Sequence, residues 1–221
     1  MQDPEQTELV FAITQAMAGK QPRRLLRRIR ATPAGERLLR EQPIFDDKTV
    51  DLDQLAALPE GSFGHEFARW MRHHGFTPGL MERESTASDP DLAYLGKRLM
   101  QVHDFWHVLT GYNRDPIGEL GVLAFSFAQS GSYGIGLILG MVVWQSSREL
   151  WRTEHRLWSP VIPYIWRGYR IGRRAQRLPP LILEELFPLP LDSVRALLQI
   201  QPLRRSFTPE ALAPIAAPSA G

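Results

Sequence analysis

Residues 120 to 144 carry no charged side chain. As one helix, at roughly 1.5 Å per residue, such a run could cross a bilayer. The chain interrupts it. Gln129-Ser130-Gly131-Ser132 falls in the middle and leaves two pieces too short to span. Six glycines between 118 and 140 suit close helix approach more than a lone lipid-facing rod. The run therefore predicts a buried pair of helices, part of it lining an apolar cavity.

Punctuation elsewhere is also helical, and strand signals are nearly absent. Residues 4 to 18 open at Pro4, stop at Gly19 and place Leu9, Val10, Ile13, Ala16 and Met17 at helical spacing. Short helices are expected near 34 to 41 and 51 to 58. The stretch Leu58-Pro59-Glu60-Gly61-Ser62-Phe63-Gly64 reads as a turn, with Ser62 capping a helix through His73. Residues 76 to 88 read as a loop. Asp89-Pro90 then opens a long helix through residue 110. The helix after Trp144 is expected to continue until Pro179-Pro180, with shorter ones near 181 to 187 and 191 to 199. The Ala/Pro-rich tail 211 to 221 is expected to fray. The whole reads as an all-α, single domain over 1–221, built from many medium-length helices.

Composition narrows the chemistry. The chain of 221 residues has no cysteine, which excludes disulfides, thiolate catalysis and cysteine-type zinc sites. Any metal must be held by nitrogen and oxygen. The net charge is only +2, but the arginines cluster. Arg23, Arg24, Arg27, Arg28 and Arg30 form one group, and Arg167, Arg170, Arg173, Arg174 and Arg177 form a stripe along one helix. They suit a solvated face, an acidic partner or an anionic membrane surface. No nucleic-acid-binding motif accompanies them. Asp3, Glu5 and Glu8 argue against a secretory signal or a mitochondrial presequence. The expected place is the cytoplasm of a bacterial-type cell, peripheral on the inner membrane.

One constellation carries metal-ligand chemistry. His103, Asp104 and His107 form His-Asp-x-x-His, and Glu119 follows after eleven residues. Histidines at i and i+4 share one helix face, and Asp104 sits about 100° further round. Between His107 and Glu119 the chain must reverse. Gly111 suits the left-handed position after a helix, and Asp115-Pro116 suits the cap and first position of the next. His107 and Glu119 then lie at matching depth on an antiparallel helix pair. Spacing alone leaves Asp104 either a ligand or a second partner that orients a histidine. Tyr112, Arg114 and Asp115 read as turn and cap residues, although each could also move a proton. His65, His73, His74 and His155 read as surface or loop residues, and Phe105 and Trp106 as core.

Over roughly residues 20 to 200 the chain resembles the ubiquinone biosynthesis family known as coenzyme Q biosynthesis protein 4. The run Val102-His103-Asp104-Phe105-Trp106-His107-Val108-Leu109-Thr110-Gly111, followed by Gly118-Glu119, carries most of the likeness. The 58 to 64 turn, Asp91-Leu92-Ala93-Tyr94, Trp166 with Gly168, and Glu184-Glu185 support it. The resemblance implies an all-α fold and a metal on His103, Asp104, His107 and Glu119, usually zinc, with Fe2+ or Mn2+ also suited to that ligand set. It implies removal of the ring carboxylate of a polyprenylated hydroxybenzoate, in some accounts coupled to hydroxylation of the same carbon. Implied partners are that polyprenylated aromatic substrate and other ubiquinone-biosynthesis proteins; a homodimer is compatible with it. The alternative is a non-enzymatic, lipid-binding scaffold with a structural metal. A phosphohydrolase of the His-Asp type lacks the further His and Asp context that chemistry requires.

Overall fold

The computed structural model describes residues 20–77, 87–152 and 161–203. The helix expected over 4 to 18, the tail 211 to 221 and His155 lie outside the described residues. Every regular element within them is helical, apart from one isolated bridge between Ser62 and Pro190. The chain gathers into two compact units. One comprises Lys20–Thr110 with Arg174–Pro202, and the described core of the other is Gly111–Arg173.

The first unit begins with α1 (Gln21–Arg30) and α2 (Pro33–Glu41). The sequence reading saw only an arginine cluster where α1 forms. Its apolar residues were the missed signal: Leu25, Leu26 and Ile29 share one face and bury against Leu95, with Leu92 and Leu99 beside them. The arginines occupy the outer face. Thr32 caps α2 through its side chain on Gly35 N, with Pro33 at the first position. Asp51 caps the short α3 (Leu52–Ala56), and Ser62 caps α4 (Phe63–His74), as the turn residues predict.

The 58 to 64 turn is a docking device as well as a cap. Phe63 N donates to Leu189 O at 2.8 Å, Gly64 N to Phe187 O at 2.9 Å, and Leu191 N to Gly61 O at 2.9 Å. A β-carbon at Gly64 would stand 2.6 Å from Leu58 Cδ1 and 3.0 Å from Cβ of Phe187, so a larger residue there would have to displace Leu58. The turn seats a core of phenyl rings. Phe45, Phe63, Phe67, Phe105 and Phe187 meet at 4.7 to 6.1 Å, edge-on or tilted except for Phe67 and Phe187, which stack. Short elements after the second unit return to this core: the 3-10 turn Leu183–Leu186 and α10 (Leu191–Leu197).

The long helix expected from Asp89-Pro90 is broken. α5 (Pro90–Gln101) ends at Val102, and α6 (His103–Thr110) starts immediately after it. The two halves have different surroundings. α5 buries one stripe, Leu95, Arg98 and Gln101. α6 is buried at every position from Phe105 to Thr110. A helix buried all round needs neighbours on all sides, and the turn at Val102 redirects the chain into that setting.

The second unit holds α7 (Pro116–Ser130), α8 (Tyr133–Arg152) and α9 (Val161–Arg174). The charge-free run is a helix pair broken at Gly131, which takes φ +70°. Ala124, Leu139 and Ile165 form its core, with Leu123, Phe127, Ile135, Val143 and Tyr169 against them. α9 approaches α7 closely: a β-carbon on Gly168 would lie 2.3 Å from Gly121 O. The arginine stripe therefore lies on a separate helix, not on a continuation from Trp144. Trp144 is inside α8, and α9 opens at Val161 with Pro163 in the first turn, where a missing N–H costs little. It ends at Arg174, before the Pro179-Pro180 stop.

Residues of the first unit line hollows at its surface. One of about 390 Å³ lies among Lys20, Arg23, Arg24, Arg27 and Asp89. Another, of about 570 Å³, surrounds residues 47 to 54. Neither includes a residue of the 120 to 144 run. Among the described residues, no helix is long and apolar enough to cross a membrane.

Candidate metal centre

α6 brings its two histidines together. Nε2 of His107 is 3.3 Å from Nε2 of His103, and the rings meet edge-on with centroids 5.0 Å apart. Two nitrogens bound to one zinc at ~2.0–2.1 Å with a tetrahedral angle between them stand about 3.3 Å apart. The pair therefore fits a single ion. Without an ion, one neutral ring can donate its N–H to the other across the same gap. Asp104, half-buried in the first turn of α6, does not join the two imidazoles within reach of one ion. Among the described residues of this unit it is placed to act on the helix start, where a carboxylate meets the positive end of the dipole.

His107 is held by more than its helix. It is 1 % exposed, and the Trp70 ring of α4 stacks on it at 5.3 Å and 23°. Trp70 also touches His74 and Phe76. His74 thus belongs to an aromatic wall beside the pair, where the sequence placed it on a surface or loop. Phe105 and Trp106 are buried, as expected of core residues.

Three arginine contacts fix α6 or its approach, and sequence reasoning identified none of them. Arg195 of α10 donates through Nε to Leu109 O at 3.0 Å and through Nη2 to Val108 O at 2.9 Å. These carbonyls end α6 and have no partner further along it. One turn before the helix break, Arg98 is 1 % exposed and forms a two-pronged ion pair with Glu184 at 2.5 and 2.6 Å. The only local signal was the Glu184-Glu185 pair. Its partners are 86 and 148 residues away, Arg98 for Glu184 and Arg37 for Glu185.

Glu119 belongs to the second unit. It lies in the first turn of α7, with one oxygen 3.6 Å from Nε of Arg114. Asp115 caps that helix: its Oδ1 accepts from Ile117 N at 3.1 Å and Gly118 N at 3.0 Å. Gly111 takes φ +76° at the reversal. Tyr112 is buried, and its hydroxyl donates to Tyr164 O at 2.9 Å. Burial, helped by Tyr164, holds that phenol well above its usual range, so it is no proton acceptor near neutral pH.

The comparisons with known proteins bear on this arrangement. Residues 1–204 match the family described as Coenzyme Q (ubiquinone) biosynthesis protein Coq4. The chain belongs to the Coq4 family. A mitochondrial ubiquinone biosynthesis protein COQ4 of Coprinopsis cinerea is 32% identical over 160 residues, covering 71% of this chain and 55% of that one. The mitochondrial COQ4 homolog of Nematostella vectensis is 29% identical over 209 residues, covering 92% and 96%. The chain thus spans about half the length of fungal relatives and nearly all of an animal one. The crystal structure of a candidate ubiquinone biosynthesis protein from Nostoc punctiforme is 25% identical, with a TM-score of 0.66, covering 88% of this chain and 89% of that one. These relatives place Coq4 proteins in ubiquinone biosynthesis. They also correct the expected location. Proteins matching 62% to 92% of this chain are named mitochondrial, against a bacterial-type cytoplasmic protein on an inner membrane. That expectation rested on Asp3, Glu5 and Glu8, and three acidic residues at the start say nothing about where relatives of the remaining chain reside.

Proposed function

We propose that this Coq4 protein decarboxylates the ring of a polyprenylated hydroxybenzoate in ubiquinone biosynthesis, using a divalent cation held by His103, His107 and Glu119. The observation that carries the reading is the 3.3 Å separation of the two imidazole nitrogens, which suits one ion. Glu119 completes the set through the His-Asp-x-x-His, eleven residues, Glu spacing. Asp104 supports the helix start and the orientation of the histidines, or joins the ligands as the carboxylates shift. Zinc suits this donor set, as do ferrous iron and manganese. When bound, the cation supplies Lewis acidity toward the ring oxygens and neutralises charge that develops there.

The protein's own groups do the rest. The imidazoles would hold the cation that meets the head group, and Trp70 keeps the His107 ring in one plane. The scissile C–C bond leaves its electron pair on the ring carbon, carbon dioxide departs, and a proton takes its place. Tyr112 is not that donor, because its hydroxyl is committed to Tyr164. Arg114 stands beside Glu119, with its Nε 3.6 Å from one carboxylate oxygen. The polyprenyl tail and the outward arginines of α9 suit work at an anionic membrane surface, in company with other enzymes of the pathway.

A second reading has one observation in its favour. His107 is almost fully buried, as a structural ion's ligand would be. In that case the protein is a lipid-binding scaffold. Purified protein loaded with zinc, iron or manganese and given a prenylated hydroxybenzoate should release carbon dioxide. His103→Ala and Glu119→Ala should lower that release at least about a hundredfold with the melting temperature nearly unchanged. Full turnover in either variant would end the metal-centred reading. Unfolding of both on metal removal would support the scaffold.

A further inference from the structure

α8 is apolar on two sides. Its inner side contributes Leu139, with Ile135 and Val143, to the core of the second unit. Its outer side carries Tyr133, Leu137, Met141 and Trp144 at spacings of four, four and three. That spacing makes one stripe about three turns long. These side chains are 60, 38, 45 and 61 % exposed. A helix apolar all round is normally covered all round, and an exposed stripe of large apolar groups marks a contact surface. Among described residues, six of the nine large apolar side chains that stand exposed belong to this unit; the other two are Ile162 and Trp166 on α9.

Charge indicates what covers the stripe. On α9, Ile162 and Trp166 are followed at helical spacing by Arg170 and Arg173, with Arg167 beside them, all exposed. Neither residues 133 to 144 nor α9 contains a carboxylate. Two copies meeting through this face would bring arginine toward arginine. An anionic lipid surface instead accepts the apolar and aromatic groups and draws in the arginines. No described helix can span, so the contact lies in the plane of the interface.

We propose that the outer stripe of α8 and the exposed side of α9 dock this protein on an anionic bilayer surface, with Trp144 and Trp166 at headgroup depth. The proposal gives the membrane reading above a specific face, and it rests on that reading but not on catalysis. The full chain should co-sediment with phosphatidylcholine vesicles containing phosphatidylglycerol and bind pure phosphatidylcholine far less. Leu137→Asp/Met141→Asp should weaken binding at least roughly tenfold, and Arg170→Glu/Arg173→Glu roughly twentyfold, with added salt weakening the wild type. Circular-dichroism melting identifies any variant that fails to fold, and Met141→Ser then replaces it. His103→Ala should bind vesicles like the wild type even where turnover is lost, which separates this proposal from the catalytic one. Equal binding to neutral and anionic vesicles would overturn it. So would a wild-type dimer in light scattering that Leu137→Asp/Met141→Asp dissociates while vesicle binding persists.

Discussion

Arg98 is the largest side chain among those fully buried, and it is charged. A buried guanidinium is tolerated only when its charge and donors are met together. Glu184 does both with two short hydrogen bonds. Glu184→Gln keeps the shape and removes the charge, so the guanidinium is left uncompensated in the interior. The expected loss is about 3–5 kcal/mol in urea unfolding. The double variant Arg98→Met/Glu184→Leu should recover most of it, because an apolar pair of similar volume carries no desolvation penalty. If Glu184→Gln unfolds at the wild-type midpoint, the pair contributes nothing to the fold.

At the scale of elements, α6 is short, and its order depends on what receives it. An eight-residue helix is marginal alone. It gains the phenyl core through Phe105, the Trp70 stack on His107 and the Arg195 contacts with its last carbonyls. Arg195→Ala should cost about 1.5–3 kcal/mol and speed amide exchange in the segment around residues 106 to 110. Arg195→Lys should recover less than half, since an ammonium keeps the charge but cannot span two carbonyls. Unchanged exchange in Arg195→Ala would show that packing alone holds the helix. The histidine spacing made the ligand pair legible, and Asp115-Pro116 made the next helix start legible. The Val102 break was not legible, because it depends on what surrounds each half of the segment.

For the whole molecule, alkaline pH tests both units at once. Each holds a tyrosine out of full contact with water, Tyr112 buried and Tyr94 half-buried. Tyr94, whose hydroxyl donates to Pro43 O at 3.2 Å, is pushed up to about 12 by burial, with Arg98 opposing and Glu184 adding. Tyr112 is raised by burial as well. Both folded-state values lie above the unfolded one, so the stability they confer is complete below about pH 10 and is lost as pH climbs through the folded values. Melting temperature should fall steadily above about pH 10 in the wild type, and the fall should shrink in Tyr94→Phe/Tyr112→Phe. A wild-type melting temperature that stays level to about pH 11 would contradict the desolvation of both phenols.

Local rules determined what depends on neighbours in the chain. Ser62, Asp51, Asp89 and Asp115 mark helix starts because a short side-chain oxygen satisfies the first free N–H groups, and no distant residue is needed. Gly111 and Gly131 mark stops because they take positive φ. The i, i+4 histidines share a face in any α-helix, and the uncharged 120 to 144 run, broken at Gly131, marks a pair of apolar helices. Tertiary structure decided the rest. It set Glu184 on Arg98 and Arg195 on the end of α6, contacts 86 and 87 residues apart along the chain. It stacked Trp70 on His107, broke the helix at Val102 and left the outer stripe of α8 uncovered. Each of these depends on which surfaces meet after the helices have formed, and the periodicity of one segment does not encode its neighbours.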